Sequence, residues 1–261
     1  MTLSQPIIDQ IIRQEILVND LSDQDLAQFC ELANAAYRQG NPIVSDQDYD
    51  FVYLSALKQR LPKYSLLQVV EPEGRGFSEE KVLLPEIMLS TDKAYTWLEI
   101  QKWIERLQKS AAEINLEAQD IQIKATPKLD GFAGYDDGEC LYTRGDGKKG
   151  SDISRVFARG LQVYNDSERG QGAGEIVVKQ SYFQTHLSDS FEYPRNFQAS
   201  LIKEKALDEK AQQAINNKAA LFVPFAQLPT WQGSVGELIE RFEPIVAEVL
   251  TTVDFDVDGV V

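Results

Sequence analysis

Cysteine and histidine are scarce in this 261-residue chain, and both shortages narrow the chemistry open to it. The two cysteines, Cys30 and Cys140, lie far apart in different kinds of segment. We therefore expect two free thiols in a reducing cytoplasm, with a disulfide as the alternative. With His186 as the single histidine, the chain has too few nitrogen and sulfur ligands for a structural zinc site.

Long apolar runs are also missing. No stretch of the sequence approaches the ~20 apolar residues that cross a bilayer. Residues 1–6 lack the charged start and apolar segment that are typical of a secretion signal. We therefore expect a cytoplasmic protein without membrane association, and we expect it to be a monomer.

Basic residues are fewer than acidic residues. The chain has 26 lysines and arginines against 41 aspartates and glutamates, a net charge of −15. A protein that grips nucleic acid by itself usually carries a basic face that displaces phosphate counterions. Arg144, Lys148 and Lys149 are close enough in sequence for a local basic patch. Even so, the overall charge predicts that this chain alone binds DNA poorly.

The first ~70 residues have the apolar spacing that is typical of helices. Three helices are predicted, at residues 7–12, 23–37 and 49–60. Ser22 is a suitable N-cap for the second of them. Ser45 followed three residues later by Asp48 resembles a capping box before the third, which should end ahead of Pro62.

An irregular stretch at 62–85, rich in proline and glycine, separates this region from the rest. A further amphipathic helix is predicted at 96–107, and after residue 120 the period changes to that of strands. Strands are predicted at 121–125, 132–135, 139–142, 175–178, 221–226 and 255–261, with a helix at 235–250. The fold class is therefore α+β, with a small helical domain at residues 1–72 and a mixed α+β domain at 73–261.

A lysine–leucine–aspartate–glycine segment at 128–131 is the first candidate for chemistry. A lysine acts as a nucleophile when its surroundings leave part of the amine neutral. Asp130 lies on the same face of an extended chain as Lys128, and Gly131 allows a ligand to approach the backbone closely. The segment alone is weak evidence for a nucleophile, because a surface lysine beside a turn has the same pattern.

A glycine-rich loop follows at 143–152, with the sequence threonine–arginine–glycine–aspartate–glycine at its start. Three glycines among charged residues favour a backbone loop shaped around phosphate, and Arg144 has the charge to neutralise it. The alternative is an ordinary hairpin loop.

Taken in order, these motifs resemble those of NAD-dependent DNA ligases. That family has the lysine nucleophile motif, the arginine loop, a glycine–glutamate strand, a proline–arginine–asparagine segment and an aspartate–glycine–valine–valine strand. The matching segments here are 128–131, 143–147, 174–175, 193–196 and 258–261. Upstream, residues 85–92 are similar to the segment that packs near the adenine, and Tyr37 with 46–50 is similar to the small domain that holds nicotinamide mononucleotide.

The resemblance implies the roles of individual residues. Lys128 would attack the α-phosphate of NAD to form lysyl-AMP, assisted by Asp130, Arg144 and Mg²⁺, for later transfer to a DNA 5′-phosphate in nick sealing. The nicotinamide half would contact Tyr37, Asp46, Tyr49 and Asp50, and the remaining cofactor contacts would be Leu89, Ser90, Glu175, Phe225 and Asp258. Glu175 would also reach Mg²⁺, and Arg195 would contact a nucleic-acid phosphate. The 73–261 domain would have the ATP-grasp-like ligase adenylation fold with antiparallel sheets.

Five of these residues also have a plainer interpretation. Tyr49 and Asp50 would start a helix with a packing tyrosine, and Glu175 would be an exposed strand residue. Arg195 would belong to a turn, and Phe225 would be core.

The sequence departs from the family pattern at several positions. Thr126 stands where a glutamate reads the adenine, Arg38 where a histidine lines the nicotinamide site, and Ser151 where a glutamate follows the arginine loop. The sequence also ends at Val261, before two later active-site lysines, so we expect a piece of a longer ligase or a short relative. A non-catalytic nucleotide-binding or protein-interaction module is therefore the second hypothesis. An ATP-using ligase or RNA-capping relative is the third, disfavoured because the region around Tyr37 would have no purpose there.

Overall fold

The structure is a computed structural model that describes residues 3–38, 41–45, 48–67, 81–203 and 206–261. Its α-helices are α1 (Gln5–Ile12), α2 (Asp23–Arg38), α3 (Ser55–Arg60), α4 (Trp97–Glu113), α5 (Arg155–Ala158), α6 (Gln180–His186), α7 (Pro194–Lys203), α8 (Glu209–Asn216), α9 (Val235–Glu240) and α10 (Phe242–Leu250). Its strands are β1 (Val82–Leu83), β2 (Gln122–Ala125), β3 (Pro127–Leu129), β4 (Phe132–Asp136), β5 (Leu141–Thr143), β6 (Lys149–Gly150), β7 (Gln162–Val163), β8 (Gly172–Val178), β9 (Ala220–Pro224), β10 (Trp231–Ser234) and β11 (Val257–Val260).

The helical unit, residues 3–67, has a core of its own. Its helices α1, α2 and α3 enclose fully buried side chains, among them Ile11, Leu26, Phe29 and Leu57. All three predicted helices are confirmed, although the third opens with a π-helical turn over Tyr49–Leu54 before α3 begins. The predicted domain boundary at residues 72 and 73 falls outside the described residues.

Both cysteines are free, as predicted, and a disulfide between them is excluded in this structure. Cys30 lies inside the core of the helical unit, where burial, with a smaller contribution from Glu31, raises the pKa of its thiol to about 12. A thiol with so high a pKa stays protonated and unreactive at neutral pH.

The largest sheet has the strand order β5-β4-β8-β9-β7. Its pairings are antiparallel except for β7 with β9, which is parallel. Helix α7 packs on β4 and β8, and α8 packs on β9. The core between them includes the fully buried Ile176, Phe197 and Phe222.

Two-stranded antiparallel pairs complete the second part of the chain. They are β2 with β10, β3 with β11, and β1 with β6. Helices α4, α9 and α10 cover the first pair with a core that includes Ile104, Ile123 and Ile245. The predicted fold class, helices followed by a mixed domain with antiparallel sheets, is confirmed.

Two predicted elements have different bounds in the structure from those predicted from the sequence. The hairpin's second strand begins at Leu141 instead of residue 139, because the Asp137 carboxylate accepts the backbone N–H groups of Glu139 and Cys140 and keeps them in the turn. The predicted helix at 235–250 is two helices that break at Arg241. Pro244 requires this break, since proline fits the first turn of a helix but not its interior.

Within the described part of the chain, no helix combines the length and apolar character needed to cross a membrane.

Candidate functional site

Strand β3 presents Lys128 to the candidate site. Leu129 is buried, whereas Lys128 and Asp130 on either side of it are partly exposed. Because neighbouring strand residues point to opposite faces, Lys128 and Asp130 share one face. The placement predicted from their spacing is confirmed.

Asp258 holds the ammonium group of Lys128. In the antiparallel pair of β3 and β11, Val257 lies opposite Leu129 and Gly259 lies opposite Lys128, so Asp258 occupies a bulge. A bulge redirects a side chain, and here Lys128 Nζ donates a hydrogen bond to Asp258 Oδ2. Burial raises the pKa of Asp258, and the hydrogen bond and charge of Lys128 oppose that shift.

Asp130 joins three parts of the fold. Its Oδ1 accepts hydrogen bonds from the Tyr37 hydroxyl at 3.1 Å and from Arg195 Nη1 at 2.9 Å. The Arg195 guanidinium lies over the Tyr37 ring, 3.8 Å from its centroid, and over the Phe132 ring at 4.7 Å. Through Asp130, the helical unit and α7 both meet the strand that carries Lys128.

Arg195 therefore lies inside the site. Its side chain is only 13% exposed, and Nη1 also donates to the Gly131 carbonyl. This setting differs from that of an outward-facing phosphate contact, because the guanidinium is already engaged with a carboxylate and two rings. Its predicted contact with nucleic acid stays a prediction.

Glu175 is buried beside Lys128 and Asp130. It lies on β8, which approaches closely because residue 131 is glycine: a Cβ there would be 2.3 Å from the Ile176 carbonyl oxygen. Burial raises the pKa of Glu175 to about 8; Arg195 and Lys128 oppose the rise, and Asp130 and Asp258 add to it. The interpretation of Glu175 as an exposed strand residue is wrong.

The arginine loop and the segment at 85–92 form one structure. Gly147, with φ of 89°, accepts the Met88 N–H at 2.8 Å through its carbonyl. Arg144 then donates to the Ser90 hydroxyl at 2.5 Å and to the Met88 carbonyl at 3.3 Å. The side chain of Leu89 is 82% exposed beside them. Two motifs that the sequence separates by more than fifty residues thus lie together.

The remaining predicted contacts have different settings. Tyr49 donates to the Cys30 carbonyl at 3.3 Å, a packing contact within the helical unit. Phe225 is 41% exposed just after β9, so its interpretation as a core residue is wrong. The Ser151 side chain is buried and accepts a hydrogen bond from Lys81 Nζ at 2.8 Å. Asp46 and the side chain of Arg38 lie outside the described residues.

Sequence reasoning missed two residues of the site, Lys93 and Asp256. Lys93 Nζ forms an ion pair with Asp50, at 2.7 Å and 3.0 Å from its two carboxylate oxygens. The Asp256 carbonyl accepts the Asp130 N–H at 2.9 Å. Burial and the nearby Asp130 raise the pKa of the Asp256 carboxyl. Neither residue belongs to a local motif, because their partners are distant in sequence.

The donor set suits a hard cation only in part. Glu175, Asp130 and Asp258 supply the carboxylate oxygens that Mg²⁺ prefers, and Mg²⁺ usually takes one or two of these with substrate phosphates. Among the described residues, however, no cluster of three or more histidine, cysteine, aspartate or glutamate side chains is arranged to hold a metal ion. The residues therefore fit a cation that a bound phosphate helps to hold, and not a closed protein cage.

A lysine on an antiparallel strand pair with carboxylates around it, together with an arginine loop, is the set of features expected of an adenylating nucleotidyltransferase domain. Residues 80–223 match the family model of the NAD-dependent DNA ligase adenylation domain. The chain therefore belongs to the NAD-dependent DNA ligase family and contains its adenylation domain.

Relatives extend the match over nearly the whole chain. A DNA ligase of Vesicomyosocius okutanii is 68% identical over 259 residues, covering 99% of this chain and 41% of the relative. One of Ruthia magnifica is 70% identical over 244 residues, covering 94% and 40%. One of Desulfotalea psychrophila is 52% identical over 243 residues, covering 92% and 35%. The chain spans about two fifths of the length of the first two relatives.

Proposed function

We propose that this chain performs the first step of DNA ligation, in which Lys128 takes an adenylyl group from NAD. The observation that carries the proposal is the placement of Lys128 on β3, with its amine bound to Asp258 and with Asp130 on the same face. A positioned nucleophile with an adjacent proton acceptor is the arrangement that covalent catalysis needs.

In the proposed step, Lys128 Nζ attacks the α-phosphorus of NAD. A phosphorus–nitrogen bond forms, and the phosphorus–oxygen bond to the nicotinamide mononucleotide phosphate breaks, so that mononucleotide leaves with the bonding electrons. The lysine must lose a proton to become a nucleophile, and the hydrogen-bonded Asp258 carboxylate is the acceptor in reach. The product is a lysyl-AMP phosphoramidate.

The other groups have roles that follow from their positions. Arg144, beside Ser90, would offset the charge that develops on the phosphate oxygens. Asp130 and Glu175 would orient the amine and the ribose. Tyr37 and Asp50 face the site from the helical unit and supply an aromatic ring and a carboxylate, which suit a cationic nicotinamide ring.

A Mg²⁺ ion, when bound at Glu175 with a substrate phosphate, would supply Lewis-acid polarisation of that phosphate. Transfer of the adenylyl group to a DNA 5′-phosphate, and nick sealing, are proposed for the longer protein. Both relatives are named DNA ligase, which supports that extension.

The proposal is tested by intact-mass measurement after the chain is incubated with NAD and Mg²⁺, with ATP as a parallel. We expect a gain of about one AMP, roughly 330 Da, with NAD, mapped to Lys128 by peptide sequencing. Lys128→Ala should abolish the gain. Lys124→Ala, an exposed lysine on the neighbouring strand, is the matched control and should leave it intact. Adduct formation by Lys128→Ala would overturn the assignment of the nucleophile.

A further inference from the structure

Lys93 joins the helical unit to the candidate site. Its ammonium contacts both carboxylate oxygens of Asp50, which lies in the π-helical turn before α3. The Asp50 side chain is 22% exposed and that of Lys93 is 48% exposed. The pair is therefore partly shielded from water, more so on the side of the carboxylate.

Two ring contacts beside the ion pair strengthen the same junction. Phe51 packs edge-on against Tyr95, with ring centroids 5.3 Å apart. Lys58 Nζ lies 4.8 Å from the centroid of the same ring. Residues 50–58 of the helical unit and residues 93–95 thus form a continuous contact, in which the ion pair of Lys93 is the charged element.

The charge of Lys93 also reaches Asp258, the residue that holds the Lys128 amine. Burial raises the pKa of Asp258, and Lys93 opposes that rise, with a smaller effect than Lys128 has. For Lys93 itself, burial works to lower the pKa, but the hydrogen bond and charge of Asp50 outweigh it and leave the pKa raised. The ammonium group of Lys93 therefore forms its ion pair with a carboxylate of the helical unit, and its charge also reaches the carboxylate partner of the proposed nucleophile.

We propose that Lys93 is a positioning residue that fixes the helical unit over the nucleophile through its ion pair with Asp50. The inference rests on the proposed function, because Tyr37 and Asp50 are the groups assigned to the nicotinamide half of NAD. Without the charge of Lys93, Asp50 loses this ion pair, and among the described residues the contacts of Tyr37 and of the Phe51 and Tyr95 rings remain to hold the helical unit. NAD then binds a site in which the helical unit is in place for only a fraction of the time.

The kinetic test uses the full chain and three variants, Lys93→Gln, Lys93→Arg and Lys102→Gln. Lys102 is exposed on α4, so Lys102→Gln is the control: it removes the same charge at a position away from Asp50. The initial rate of lysyl-AMP formation is measured over a range of NAD concentrations. We expect Lys93→Gln to raise the half-saturating NAD concentration about five-fold, the factor that one partly exposed ion pair supplies, while the limiting rate changes little. Lys93→Arg should restore tight binding, and Lys102→Gln should match the parent chain.

A second readout needs no adduct. Spin labels at exposed Gln59 and Lys109, introduced as cysteines in a Cys140→Ser background, report the distance between the helical unit and α4 by pulsed EPR. We expect Lys93→Gln to broaden the distance distribution and Lys93→Arg to keep it narrow. An unchanged distribution in Lys93→Gln, or an unchanged half-saturating NAD concentration, overturns the inference. If the parent chain forms no adduct, the proposed function fails, and the distance distributions alone decide the role of Lys93.

Discussion

Glu175 illustrates how burial at one residue changes what a carboxylate can do. Because β8 approaches closely at Gly131, the Glu175 side chain is buried beside the site. With a pKa of about 8, most of the Glu175 carboxyl carries a proton at neutral pH, and it would lose that proton when a cation approaches. The same residue is therefore suited both to hydrogen bonding with a ribose and to charge pairing once a substrate and its counterion arrive.

The raised pKa of Glu175 predicts a pH-dependent stability. A carboxyl whose pKa is higher in the folded state than in the unfolded state stabilises the fold most below the unfolded value. That contribution is lost as the pH rises through about 8. The free energy of unfolding should therefore fall, relative to Glu175→Gln, between about pH 5 and pH 8, by at most about 1.4 kcal/mol for each pH unit.

Urea denaturation of both proteins at pH 5, 6.5, 8 and 9 measures this difference. The difference should level off above pH 8, where Glu175 is ionised in both states. A difference that stays constant over the whole range would contradict the burial-driven pKa.

At the scale of elements, short polar sequences set where the helices begin. Ser22 accepts the Asp25 N–H at 3.1 Å, and Ser45 accepts the Asp48 N–H at 3.0 Å, so both predicted caps are confirmed. Helix α4 has a complete capping box, in which Thr96 accepts the Glu99 N–H and the Glu99 carboxylate accepts the Thr96 N–H. This start is three residues from Lys93, so α4 also supports the junction with the helical unit.

Removing the capping box of α4 should destabilise the protein measurably. Thr96→Ala leaves the Glu99 N–H without its side-chain acceptor, and we expect a loss of about 1 kcal/mol in the free energy of unfolding. Ser110→Ala, an exposed change inside the same helix, is the control and should be neutral or slightly stabilising. Equal effects of the two changes in urea denaturation would show that the cap contributes nothing.

At the scale of the whole molecule, separate cores are the main feature. The core around Leu26 uses residues 3–67 alone, whereas the core around Ile245 joins α4, α9, α10 and β2. We propose that the core around Leu26 marks the helical domain predicted from the sequence, and that the core around Ile245 belongs with the sheet core around Ile176 to the second domain, joined to the first through Tyr37 and Lys93.

Separate cores predict separate responses to cavity mutations. Leu26 is fully buried, so Leu26→Ala should destabilise the helical unit by about 2–5 kcal/mol. Hydrogen exchange should become faster in α2 while the protection of β8 is unchanged. Ile245→Ala, at an equally buried position in the core of α4, α9, α10 and β2, should instead make exchange faster in β2 while the protection of α2 is unchanged. A uniform loss of protection in both variants would mean that the chain unfolds as a single unit.

The charge of the whole chain leads to a last prediction. Because the net charge is −15, we expect a nicked duplex to bind this chain with a Kd weaker than about 10 µM at 0.15 M salt. Fluorescence anisotropy with labelled DNA measures the affinity. Submicromolar binding that weakens steeply with added salt would instead reveal a basic face strong enough to act alone.

Much of the candidate site was predictable because its parts are local in sequence. Lys128 and Asp130 share a face through strand alternation, and the glycines around Arg144 mark its loop without further information. Helices α6, α7 and α8 were not predicted, and the segment that begins α7 was interpreted as a turn around Arg195. The plainer interpretations, an exposed Glu175 and a core Phe225, were also wrong, since strand patterns do not tell which face a neighbouring element covers.

By itself, the sequence determined the helices of the first 67 residues, the change to strands after residue 120, and the lysine and arginine motifs. These features depend on neighbours a few positions apart, so local spacing suffices to specify them. The tertiary structure alone decided that Asp258 holds Lys128, that Arg195 turns inward to Asp130, and that Lys93 meets Asp50. These pairs are separated by 130, 65 and 43 positions. Such contacts depend on how β11, α7 and the helical unit pack, and no local pattern carries that information.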